Sequence, residues 1–199
     1  DQRGGVATLI APRWALTVAH VARDTPQGHA VTIAGQSYVV ARVILHPDWG
    51  TSRMDMALLQ LDRPVEAVVP IPPYEQDGET GQVVTLVGRG DTGTGLTGPV
   101  TRDQRLRAAT NRVERIEGDM LVFRFDAPTD ENVTPLEGIS GPGDSGGPAL
   151  IQTADGLRLA GLSVAQSGRP KGTYGVWEFY TRVSPQLTWV REVVPPSGE

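Results

Sequence analysis

Serine, histidine and aspartate stand in this sequence within motifs that could together run nucleophilic catalysis. The sharpest is Gly143-Asp144-Ser145-Gly146-Gly147-Pro148. Glycines on both sides of a serine let the backbone turn tightly and come close to a ligand, so the hydroxyl and neighbouring N–H groups can converge on one carbonyl. A string of six such residues has a chance frequency on the order of 10⁻⁴ over a whole chain of ordinary composition, which separates it from a common Gly-rich surface turn. The hydroxyl needs a base. Three histidines are available, His20, His29 and His46, all upstream. His20 ends the apolar run Trp14-Ala15-Leu16-Thr17-Val18-Ala19, which reads as a buried strand delivering its last side chain to a cleft. His46 precedes Pro47 at a turn and His29 follows Gly28 at a strand start, so both read as structural. The base in turn needs a carboxylate to hold its tautomer and stabilise its cation. Asp55 stands between Met54 and Met56 ahead of Ala57-Leu58-Leu59, where a lone charge is costly to bury unless paired. Asp48 and Asp62 have more polar, turn-like surroundings.

The elements that must position these groups read as short strands. Runs at 6–10, 30–33, 38–45, 56–61, 83–87, 120–125, 157–164 and 176–183 are apolar or alternating, bounded by Gly, Pro, Asp or Asn. The chain of 199 residues holds 24 glycines and 16 prolines, well above the roughly 24 of both that average usage would give. Many tight turns between strands account for that excess, and the class expected is all-β, an antiparallel barrel or sandwich. Pro70, Pro72 and Pro73 cannot sit in a central strand, so 67–79 reads as an extended connection between two halves, 1–66 and 80–199. Ser184-Pro185 opens a helix over 184–194 with Leu187, Val190 and Val194 on one face, stopped by Pro195-Pro196.

Composition also excludes. A net charge of −5 argues against a nucleic-acid partner. No cysteine is present, so disulfides, thiolate nucleophiles and Cys-ligated metals are ruled out. No metal or other cofactor is expected: Asp126, Asp130, Glu131 and Glu137 lack the spacing of a calcium loop and read as a solvated acidic stretch. No apolar run approaches the ~18 residues of a membrane span, and no basic segment followed by an apolar one opens the chain, so a soluble protein is expected.

Chain order discriminates among hydrolases. Gly143-x-Ser145-x-Gly147 matches the nucleophile elbow of α/β-hydrolases, but there the histidine follows the serine and none follows Ser145. A subtilisin-like order would leave only Asp1 ahead of His20. What remains is His, Asp, Ser. On these grounds the chain resembles the trypsin/chymotrypsin-like serine proteases, as a cysteine-free, bacterial-type member. Thr17-Val18-Ala19-His20 is similar to the family's histidine motif, Asp55-Met56-Ala57-Leu58-Leu59 to its aspartate motif, and Gly143 to Pro148 is its serine motif without a mismatch. Val87-Gly88-Arg89-Gly90, Tyr180-Thr181-Arg182-Val183 and the closing helix are lesser echoes.

The resemblance implies two antiparallel six-stranded β-barrels with a C-terminal helix, and a cleft between the barrels that takes a protein or peptide substrate. His20 and Asp55 would come from the first barrel and Ser145 from the second, with the N–H groups of Gly143 and Ser145 as oxyanion hole. Counting back from the nucleophile puts Ile139 at the base of the primary substrate pocket, where trypsin-like members carry aspartate. Its wall would be Ser163-Val164-Ala165 or Val164-Ala165-Gln166, and Glu178 would point into it. An apolar base suggests apolar or small side chains before the cut; Glu178 would instead admit a basic one. The resemblance further implies that Asp144 receives an N-terminal ammonium in an activation pocket, which the opening Asp1-Gln2-Arg3 is too close to His20 to supply. A protein inhibitor or pro-segment would be further partners, and secretion or a periplasmic location follows from the family. The rival reading is a protease-like binding protein that has lost catalysis, against which the intact motifs count.

Overall fold

The computed structural model describes residues 4–51 and 54–196, so the opening Asp1-Gln2-Arg3 lies outside the described residues. Strands β1 (Thr8–Ala11), β2 (Trp14–Thr17), β3 (Ala30–Ile33), β4 (Gln36–Leu45) and β5 (Ala57–Leu61), with the one-turn helix α1 (Ala19–Ala22) after β2, form the first half. The second contains β6 (Val83–Gly88), β7 (Thr92–Thr94), β8 (Gly98–Thr101), β9 (Arg107–Glu117), β10 (Met120–Arg124), β11 (Pro148–Thr153), β12 (Gly156–Ser167) and β13 (Trp177–Arg182). A 3₁₀ turn at Ser184–Gln186 leads into α2 (Leu187–Val193), where Ser-Pro predicts a helix start.

The second half is the expected closed six-stranded barrel, in the order β10-β13-β12-β11-β6-β9, with β7 and β8 as a separate hairpin. The first half is a half-barrel: among the described residues it is a five-stranded sheet, β1-β2-β5-β4-β3, where six strands were expected. Among the described residues no sixth strand pairs with β1; instead the Ile71 N–H, from the Pro-rich connection, donates to Leu9 O at 2.8 Å. The same connection reaches the second half through Tyr74 N–H to Leu159 O (2.8 Å) and Leu159 N–H to Pro72 O (2.9 Å). Proline's missing N–H costs nothing at Pro72 and Pro73, because the bonds run through the Pro72 carbonyl and the Tyr74 amide.

Alternation along the strands builds four apolar clusters among the described residues, the smallest of them Tyr38, Leu61 and Val65. Val84, Leu86, Val113, Leu121, Phe123, Ala149, Ile151, Ala160 and Tyr180 fill the closed barrel. Ala15, Ala19, Val40, Ala57 and Leu59 fill the first sheet's inner face. Trp14, Leu16, Met56 and Leu58 from the first half pack on Leu150, Leu159, Leu162, Val183 and Val190 from the second, which joins the halves. Glu79, fully buried at the end of the connection, takes Arg182 Nε (2.7 Å), Arg182 Nη2 (2.8 Å) and the Ser184 hydroxyl (2.9 Å). Burial works to raise its pKa, but these donors prevail and hold it below the usual carboxylate value.

Candidate active site

His20 does not end a strand. The β2 ladder stops where Thr17 pairs with Ala57, Val18 is extended, and His20 falls in the single turn of α1. The outcome is what a strand end would have supplied: the ring stands at the sheet's rim with its side chain 34% exposed. Asp55 lies immediately before β5 and beside the end of β2, so the ladder that pairs these strands also brings the two residues together. The His20 backbone N–H donates to Asp55 Oδ1 at 2.9 Å, and His20 Nδ1 meets Asp55 Oδ2 at 2.6 Å. An ionised carboxylate can only accept, so the proton of a neutral ring sits on Nδ1 and Nε2 keeps a lone pair for a substrate-side proton. Buried Met54 and Met56 flank Asp55, and Thr181 Oγ1 on β13 donates to its carbonyl at 3.1 Å, a tie from the second half.

Ser145 occupies the turn before β11. Its carbonyl accepts the Val6 N–H at 2.8 Å, and Val6 O accepts Thr17 Oγ1 at 2.6 Å, so the serine turn docks on Val6, which Thr17 ties to the end of β2. No hydrogen bond joins Ser145 Oγ to His20 among the described residues; such bonds commonly tighten only when substrate is bound. Gly146 has φ +81°, and a Cβ there would stand 2.2 Å from Val6 O and 2.3 Å from Thr17 Oγ1, so the docking requires glycine. Gly146 N–H donates to Ser163 O (2.8 Å), Gly147 N–H to Asp144 O (2.7 Å) and Asp144 N–H to Gly141 O (3.0 Å). The N–H groups of Gly143, at φ +100°, and of Ser145 have no acceptor among the described residues.

The Asp144 carboxylate is held by amides: Gly90 N–H reaches Oδ1 at 2.6 Å and Gly141 N–H reaches Oδ2 at 2.9 Å. A Cβ at Gly88 or Gly90 would lie within 2.0 or 2.7 Å of that carboxylate, which explains the Gly88-x-Gly90 spacing. Beside it opens a cavity of about 430 Å³, whose lining includes Asp144, Ile139, Ser140, Phe125 and Tyr180. Ser163, Val164, Ala165, Gln166 and Glu178 are not part of that lining. Three of them converge instead on Ser140, which sequence reasoning missed: Ser163 Oγ donates to Ser140 Oγ (3.0 Å), Gln166 Nε2 to Ser140 O (2.6 Å), and Glu178 accepts from Ser140. Nothing in the sequence around Ser140 signals this, because the partners arrive from two later strands.

Neither of the other two histidines pairs with Asp55 among the described residues. His46 is buried edge-on against Trp189 (ring centroids 4.6 Å apart), and burial, partly countered by Asp48, lowers its pKa. His29 is exposed. In the acidic stretch Asp126 and Asp130 bind Arg124, and Glu137 accepts Thr134 N–H (2.9 Å) and O–H (2.6 Å).

The family model described as Trypsin matches residues 2–190. A tryptase of Mus musculus is 29% identical across 94% of this chain and 77% of its own length. A trypsin of Simulium vittatum is 29% identical, covering 85% of this chain and 74% of the relative. The serine protease SP24D of Anopheles gambiae is 30% identical over 92% of this chain and 69% of its own.

Proposed function

Since the chain belongs to the trypsin family and is a serine endopeptidase of the trypsin/chymotrypsin type, we propose that His20, Asp55 and Ser145 are its catalytic triad. The observation that carries this reading is the 2.6 Å pairing of His20 Nδ1 with a nearly buried Asp55, together with a serine turn that docks on Val6, itself held by Thr17 three residues before the histidine. Ser145 Oγ attacks the scissile carbonyl while His20 Nε2 takes its proton. The N–H groups of Gly143 and Ser145 receive the oxyanion, and each such donor is typically worth ~10²–10³ in rate. The proton on Nε2 then passes to the leaving amine, and the acyl-enzyme is hydrolysed by the same steps with water as nucleophile. Asp55 holds the ring and offsets the imidazolium charge.

The cleft between halves 1–66 and 80–199, joined by 67–79, takes a peptide chain, and Ile139 at the pocket base favours an apolar or small side chain before the cut. Asp144, with Gly90 and Gly141 on its two oxygens, is the anionic group of the activation pocket. Family membership favours action outside the cytoplasm, secreted or periplasmic, and no described helix is long and apolar enough to cross a membrane. Hydrolysis of peptide esters tests the triad: Ser145→Ala should reduce turnover to background, and a variant as fast as the parent would refute the assignment.

A further inference from the structure

Packing or pairing accounts for three of the four side chains in Tyr180-Thr181-Arg182-Val183. Tyr180 fills the closed barrel, Val183 joins the cluster between the halves, and Arg182 pairs with Glu79. Thr181 is fully buried and pairs through its main chain with Met120 of β10 and Leu162 of β12. A valine has the same shape and an equal preference for strands, and a buried hydroxyl is costly without a partner. The partner lies in the other half: Thr181 Oγ1 donates to the Asp55 carbonyl at 3.1 Å. Alternation along β13 sets this direction, because Tyr180 turns into the barrel and its neighbour therefore turns out of it, toward the first half.

The position of Asp55 calls for such a tie. The β2–β5 ladder ends with Thr17 opposite Ala57, so strand pairing brings Asp55 near His20 without holding its carbonyl. Its side chain is committed to the histidine, with Oδ1 taking the His20 N–H at 2.9 Å and Oδ2 meeting Nδ1 at 2.6 Å. A slide or roll of the Asp55 main chain therefore carries the imidazole with it. The ring must meet a nucleophile borne by the other half, and no hydrogen bond from Ser145 Oγ holds it there among the described residues. Alignment of base and nucleophile falls to ties between the halves, and these are reciprocal. The Ser145 carbonyl takes the Val6 N–H at 2.8 Å, and the Asp55 carbonyl takes the Thr181 hydroxyl.

We propose that Thr181 is a positioning residue for the reaction, its hydroxyl fixing the Asp55 main chain to the second half so that His20 presents Nε2 to Ser145 Oγ. It touches neither substrate nor a reacting atom and acts through Asp55. The inference rests on the triad assignment of the proposed function.

The test removes the donor in steps and follows peptide-ester hydrolysis. Thr181→Ser keeps the hydroxyl, Thr181→Cys has nearly the shape of serine with a weak donor, and Thr181→Val keeps the shape of threonine with none. Misplacing a catalytic group by about 1 Å costs up to about 10²-fold. In Thr181→Val kcat should fall by roughly tenfold to 10²-fold with KM unchanged, while Thr181→Ser stays within about threefold of the parent and Thr181→Cys lies between. The same change is then made in Asp55→Asn, where the ring is already misdirected and Thr181→Val should cost less than about threefold more; a merely structural role would cost the same factor in both backgrounds. Parent-like kcat in Thr181→Val, an equal loss in Thr181→Ser, or the full loss repeated in Asp55→Asn would overturn the role and leave the triad standing. Should Thr181→Val not fold, equal kcat in Thr181→Ser and Thr181→Cys would overturn it. A parent that does not hydrolyse the ester would overturn both readings.

Discussion

Replacing Glu178 by glutamine should change how stability depends on pH, by an amount that follows from its burial. Its folded pKa is raised from the ordinary 4.5 to about 7, with burial as the main cause. A carboxyl group raised in this way contributes stability that is fully present below about pH 4.5 and is lost as pH rises through about 7, since the unfolded chain ionises first. Each tenfold change in proton affinity is worth about 1.4 kcal/mol, so the loss across that window is about 3 kcal/mol. Glutamine cannot ionise. It also presents one acceptor oxygen where Ser140 now uses two, a pH-independent cost of about 1 kcal/mol. Urea unfolding of parent and variant at pH 5, 6, 7 and 8 reads the difference directly. His46, lowered by burial, and Glu137, raised by burial, titrate in both proteins and cancel in the comparison. The parent should be the more stable at pH 5 and the variant at pH 8, with a swing of about 3 kcal/mol. A difference that stays constant with pH would refute the rise of the Glu178 pKa on burial.

Two further substitutions probe the site. Asp55→Asn keeps the shape but lets the ring take the wrong tautomer, so kcat should fall on the order of 10³–10⁴ with KM little changed; a fall below tenfold would mean that the 2.6 Å contact does not orient the base. Gly146→Ala puts a Cβ 2.2 Å from Val6 O and should displace the serine turn, with peptide-ester turnover reduced at least 10²-fold; near-parent turnover would show that the docking on Thr17 is dispensable.

The site was legible in the sequence where its chemistry is local. The motifs around His20, Asp55 and Ser145 need neighbours in sequence, glycines for the turn and apolar flanks for the acid, so the pattern carries them. Ser140 was not legible because Ser163, Gln166 and Glu178 reach it only through the curling of β12 and β13. Strand β9, 11 residues long, was passed over for a different reason: Arg112, Glu114, Arg115 and Glu117 face outward or sideways, and Val113 is its one fully buried apolar residue. Its place is set by pairing with β6 and β10, which a polar sequence does not advertise. The five strands of the first half likewise depend on what lies against β1, where the connection's Ile71 supplies the hydrogen bond.

The most direct measurement is covalent labelling. A fluorophosphonate reacts with a serine only where a base activates it and donors hold the phosphoryl oxygen, so intact mass with peptide mapping reports the whole constellation at once. The parent should gain a single adduct, mapped to Ser145, while His20→Ala should gain none on the same timescale. An unlabelled Ser145 in the folded parent, or equal labelling in His20→Ala, would contradict the triad.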